Sequence, residues 1–134
     1  MSAHRAAAAV LAVGVLLAGC SARTAAVESG TAPTSAVGPP RATAQQVVDA
    51  FTAAGLDTTQ ARDTTAADCP SSGCIQAITI TGVVVRTFPT SGRAQIYANS
   101  VGIFHVVATS LTFADGTSKV LQQKYETVAK KVAG

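Results

Sequence analysis

The sequence predicts an α+β domain with the order helix–strand–helix–strand–helix around a small sheet. Three observations carry that class. Apolar residues recur at helical spacing over 43–54, β-branched residues crowd 76–88 and 101–113, and a second amphipathic stripe closes the chain at 115–132.

The first helix, 43–54, has the clearest boundaries. Thr43 and Gln46 form a T-x-x-Q capping box, in which side chain and backbone satisfy each other's free groups. Ala44, Val47, Val48, Phe51 and Ala54 supply its apolar stripe. Gly55 stands where a left-handed residue ends a helix, and Leu56 is placed to fold back on the last turn. Residues 57–74 read as a loop, because Pro70, Ser71, Ser72 and Gly73 each favour turns.

A strand is expected from Gln76 to Phe88, with Gly82 as a bulge or bend and Pro89 as its end. Ile78, Ile80, Val84 and Phe88 share one parity, and Val83 and Val85 the other. Thr90 or Ser91 caps a short helix to about Asn99, with Ala94, Tyr97 and Ala98 inward. The second strand, 101–113, places Val101, Ile103, Val107, Leu111 and Phe113 on one side. Asp115-Gly116-Thr117 opens the last helix, with Val120, Leu121, Tyr125, Val128 and Val132 as its stripe. Glu126 precedes Lys130 by one helical turn, and Lys130 and Lys131 complement the helix dipole.

A strand–helix–strand unit predicts a right-handed crossover joining parallel strands. Two strands alone make a poor sheet. The remainder comes either from an edge strand within 57–68 or from a hairpin at Ala108–Ser110, and the sequence does not choose.

The N-terminus reads as an address. His4 and Arg5 precede an uncharged run, Ala6–Leu17. As a helix that run covers roughly 18 Å, whereas a bilayer core is about 30 Å thick. It matches the apolar part of a secretory signal. Leu17-Ala18-Gly19-Cys20 resembles the lipobox of bacterial lipoproteins. The resemblance implies cleavage between Gly19 and Cys20, a diacylglycerol on the Cys20 sulfur, and acylation of the new amine, with palmitate as an expected chain. Two or more acyl chains anchor a protein stably where one does not. The implied division is a signal peptide at 1–19, lipidated Cys20 with a tether at 20–41, and a globular domain at 42–134. Ser21–Arg41 mixes Pro, Gly, Ser and Thr without an aromatic residue, too little apolar surface to drive folding. Such a tether of roughly 20 residues reaches about 25 Å.

Three cysteines are an odd number. If Cys20 is lipidated, Cys69 and Cys74 remain as a pair, and in an oxidising envelope they are expected to form one disulfide. Cys69-Pro70-Ser71-Ser72-Gly73-Cys74 differs from redox motifs, which usually separate the cysteines by two residues.

The sequence points to no catalytic constellation, cofactor or metal. One histidine and two cysteines in the globular part, 42–134, fall short of a zinc set. His105 would serve a hydrolase only beside a nucleophile and an orienting group, and no G-x-S-x-G elbow accompanies it. It reads as a half-buried structural residue with its polar groups satisfied. Arg93 follows Thr90, Ser91 and Gly92 at a helix start, where anions can bind, but it reads as an exposed side chain behind an ordinary cap. Lys119, Lys124, Lys130 and Lys131 read as a solvated helix face, with contact to anionic lipid as the alternative. Ten basic against seven acidic residues, two Tyr, four Phe and no Trp give no nucleic-acid signature.

Residues 55–98 resemble small exported or lipid-anchored proteins of actinobacteria, mycobacteria included. The resemblance rests on Gly55-Leu56, Ala61–Ala66, the Cys69 and Gly73-Cys74-x-Gln76 loop, a Thr-rich strand, Phe88-Pro89, and a helix with Ala94 and Tyr97-Ala98. It supports the disulfide and brings no activity. The expected function is a non-enzymatic binding or accessory module on the outer face of the cell membrane, with an envelope protein or glycan as partner. The alternatives are a small envelope hydrolase using His105, or a lipid carrier. A domain this size buries only about 60–65% of its unfolded surface, leaving little to line an acyl cavity.

Overall fold

A computed structural model of the chain describes residues 41–134; the expectations for Gly19, Cys20, the leader and most of the tether lie outside the described residues. Helix α1, Ala44–Ala53, starts at the predicted capping box. Thr43 Oγ1 accepts from Gln46 N at 3.1 Å, and Gln46 Oε1 accepts from Thr43 N at 2.8 Å. At its other end Gly55 takes φ 73°. Leu56 N then donates to Phe51 O and Gly55 N to Thr52 O, both at 3.0 Å. This crossed pair of bonds closes a Schellman motif and turns Leu56 onto the core.

Five strands form one antiparallel sheet. They are β1 (Arg62–Asp63), β2 (Gln76–Ile80), β3 (Val83–Thr87), β4 (Phe104–Val106) and β5 (Thr109–Phe113), in the order β1-β2-β3-β5-β4. Three further helices join them: α2 (Thr65–Ser72), α3 (Ser91–Val101) and α4 (Lys119–Ala133). The α+β class and the Cys69–Cys74 disulfide are as expected.

The sheet corrects the predicted strands. The run 76–88 is a hairpin, with Gly82 in the left-handed region at φ 73° inside its two-residue turn. That turn reverses side-chain parity, so Ile78, Ile80, Val83 and Val85 all enter one core. The run 101–113 is also broken. Val101 ends α3, and the turn at Val107-Ala108 pairs Val106 with Thr109. Val101 and Val107 are therefore exposed instead of lining a strand.

The expected parallel pair is absent from the ladder for the same reason. β3 and β4 do run in the same direction, but β5 returns between them and pairs antiparallel with both. Both open alternatives are realised: β1 is an edge strand from 57–68, and 104–113 forms a hairpin, turning at Val107-Ala108.

Two helix boundaries differ as well. The presumed loop contains α2, ended by Gly73 at φ 75°. The last helix starts at Lys119, capped by Ser118, and Asp115-Gly116-Thr117 precedes it as a turn. Val120 and Leu121 lie in its first turn, outside the buried stripe, at 66% and 40% exposure.

The register gives the sheet two unlike faces. On one, Ile78, Val85, Leu111 and Phe104 form a row across four strands, beside Ile80, Val83 and Phe113. Helices α1 and α4 cover this face with Val47, Val48, Phe51, Tyr125 and Ala129. Phe51 and Tyr125 meet edge to face, centroids 4.9 Å apart. The opposite face carries Ala77, Arg86, Ser110 and His105 in one row, and Thr79, Val84 and Thr112 in the next. A smaller apolar cluster of Cys69, Cys74, Ala77, Phe88, Ala94 and Tyr97 packs α2 and α3 against it.

Candidate functional site

The second sheet face is where polar groups converge, and Arg86 is its centre. A guanidinium in the middle of a strand is buried only if its donors find acceptors. Arg86 is 9% exposed. Its Nη2 donates to Asp68 Oδ1 at 3.2 Å and its Nη1 to Thr112 Oγ1 at 2.9 Å. Its Cζ lies 5.6 Å from the centroid of the Tyr97 ring. Asp68 comes from α2, Thr112 from β5 and Tyr97 from α3, so one side chain ties three elements to β3.

Asp68 is itself held in place. Thr64 Oγ1 donates to its second oxygen at 2.5 Å and lies 3.1 Å from Thr79 Oγ1. Both carboxylate oxygens are thus occupied, one by charge and one by a hydroxyl. Arg86 Nε and Ser110 Oγ remain buried without a hydrogen-bond partner among the described residues. Beyond Arg86 the face opens into a depression of about 280 Å³ between Thr79, Val84 and Thr112.

His105 lies on edge strand β4, half-buried, and its register partner is Ser110 on β5. A histidine opposite a serine has the composition of a base and nucleophile. The geometry does not join them. Ser110 is fully buried, and its Oγ has no hydrogen-bond partner among the described residues, the imidazole included. Arg93 is exposed, and its backbone N donates to Thr90 Oγ1 at 3.1 Å, an ordinary cap. Cys69 and Cys74 form the disulfide with Cα atoms 4.6 Å apart, in the apolar cluster beside the Asp68–Arg86 pair. The Arg93 side chain makes no hydrogen bond or ion pair with this network among the described residues.

Sequence reasoning missed Arg86 and Asp68. The available signal was that Arg86 is the one charged residue in Gln76–Phe88. A lone charge in a buried run demands a partner.

Other titrating groups serve local structure. The Thr59 hydroxyl, and then its backbone N–H, hold the Asp57 carboxyl below the ordinary 3.8. Thr65 does the same for Asp63. Burial, reinforced by the Asp57 charge, raises Tyr125 above 10.0. Tyr125 Oη donates to Asp57 O at 2.6 Å, joining α4 to the loop after α1.

No family model, curated protein or solved structure matches the chain. Among the described residues, no helix is long and apolar enough to cross a membrane.

Proposed function

We propose that the protein is a lipid-anchored lipoprotein of the cell envelope, a binding or accessory module held by Cys20 on the outer face of the cytoplasmic membrane. The observation that carries this reading is the Leu17-Ala18-Gly19-Cys20 seam, where an apolar run gives way to a polar one. The Cys69–Cys74 bond supports it in two ways. It suits an oxidising compartment, and it uses both cysteines of the folded part, leaving Cys20 for lipid. The resemblance of residues 55–98 to actinobacterial exported proteins agrees with this address.

A binding role is favoured over a hydrolase because Ser110, the residue opposite His105, is fully buried, where an ester has no access. An envelope protein or a glycan is the partner in this reading.

The test is mass spectrometry of the mature polypeptide, with detergent phase partitioning of wild type and Cys20→Ser. A thioether-linked diacylglycerol on an N-terminal Cys20, lost from the detergent phase in the variant, is expected. An unmodified Cys20, or a mature chain that keeps residues 1–19, overturns the reading.

A further inference from the structure

All four lysines of the chain, Lys119, Lys124, Lys130 and Lys131, fall within α4. At about 100° per residue they occupy roughly 140° of its surface. Every one is exposed, while Tyr125 and Ala129 on the opposite side are buried. The one ion pair among the described residues is Asp68–Arg86, so no described carboxylate lies within ion-pair distance of these four ammonium groups. Glu126 lies at the half-buried margin of the helix, away from the centre of the basic arc. Lys130 Nζ stands 5.3 Å from the centroid of Phe104, which steadies it at the β4 edge.

Apolar surface is interleaved with this charge. Val120, 66% exposed, lies between the lysines on the helix surface. With Leu56, Lys124 and Val128 it lines an open groove of about 490 Å³ between α4 and the end of α1.

We propose that the outer face of α4 is a docking surface for an anionic phospholipid bilayer. Charge complementarity selects this occupant. The lysines spread over about 18 Å of helix, enough for several headgroup phosphates at once when the helix lies flat. Lysine is a flexible point charge that follows mobile headgroups without a fixed bidentate geometry. Val120 and the Leu56 groove meet the interfacial apolar layer beneath the phosphates. Beside an anchor of two or more acyl chains, a basic patch adds an electrostatic contact that lays the domain against the headgroups. The biological setting rests on the lipoprotein reading, whereas affinity for the bilayer belongs to α4 itself.

The experiment is co-sedimentation of the full chain carrying Cys20→Ser with phosphatidylcholine vesicles, prepared with and without phosphatidylglycerol. Binding is expected to increase with phosphatidylglycerol. It should vanish as the Debye length contracts from about 10 Å at 0.1 M salt to about 3 Å at 1 M. Each Lys→Gln change should weaken the phosphatidylglycerol-dependent part roughly fivefold. The quadruple Lys→Gln variant should abolish it, and the quadruple Lys→Arg variant should retain it. Thermal melts of both quadruple variants confirm that they fold. Equal binding to both vesicles, binding unaffected by Lys→Gln, or retention of a soluble anionic polymer without binding to phosphatidylglycerol vesicles would overturn the proposal. Because Cys20 is replaced throughout, the outcome is independent of whether acylation occurs in cells.

Discussion

At the scale of single residues, Arg86 and Asp68 decide whether the second sheet face holds together. Desolvating a guanidinium costs several kcal/mol, and here one carboxylate, one hydroxyl and one aromatic ring offset it. Removing Asp68 leaves the charge with a single side-chain acceptor, Thr112. Asp68→Ala is therefore expected to cost roughly 2–4 kcal/mol in guanidinium unfolding, below the full value for a buried pair because Asp68 is 27% exposed. Asp68→Leu combined with Arg86→Met should recover most of that loss, since packed apolar side chains can replace a buried pair at little net cost. A loss under about 0.5 kcal/mol for Asp68→Ala would mean that the pair behaves as a surface ion pair. Part of this arrangement was legible in the sequence, as one arginine within an apolar strand run. Its partner was not, because Asp68 lies 18 residues away on a helix that local signals conceal.

At the scale of elements, legibility follows how much of the determining chemistry is local. Helix α1 could be read from Thr43, Gln46 and Gly55 because cap and stop signals act within one turn. Helix α2 could not, since Pro70 removes a donor and favours a turn reading. It persists through a cystine to Cys74 at its end, Asp63 Oδ1 accepting from Thr65 N at 2.8 Å at its start, and one distant contact, Asp68 on Arg86. The β4–β5 hairpin was equally hidden. Its turn puts Val107 at φ 49°, a position that glycine or asparagine would have announced.

The joint between α4 and the loop after α1 has an expected pH signature. Tyr125 keeps its proton to higher pH in the folded protein than in the unfolded chain, because burial and the Asp57 charge oppose ionisation. Above pH 10.0 the unfolded state then binds fewer protons than the folded one, so stability falls as pH rises through the folded pKa. Below that window the contribution is fully present. Tyr125→Phe should lower stability by about 1 kcal/mol at pH 8, through loss of the bond to Asp57 O. Denaturant midpoints followed into alkali should show this gap closing above pH 10, as only the wild type loses the tyrosine contribution. Parallel curves would assign the alkaline loss to other groups.

At the scale of the whole molecule, the fold is one sheet between two cores of different kinds. The α1–α4 side is continuous and apolar, whereas the α2–α3 side mixes a cystine, aromatic contacts and a charged network. Amphipathic stripes and strand runs announced the first core. The strand order stayed hidden because it depends on where β5 inserts, and so on a turn without glycine. This division implies unequal local stability. Strand β3 is paired on both sides and enclosed on both faces, while β1 has two residues and β4 three, each paired on one side. Hydrogen exchange should therefore be slowest at Val83–Thr87, near the limit set by global unfolding, and fastest at Arg62–Asp63 and Phe104–Val106. Reducing the Cys69–Cys74 bond releases one of the restraints on the C-terminal end of α2. Amides of Thr65–Ser72 should then join the fast class while β3 keeps its protection. If β3 loses protection together with α2 on reduction, the two cores open as one cooperative unit, and the charged network carries more of the fold than its size suggests.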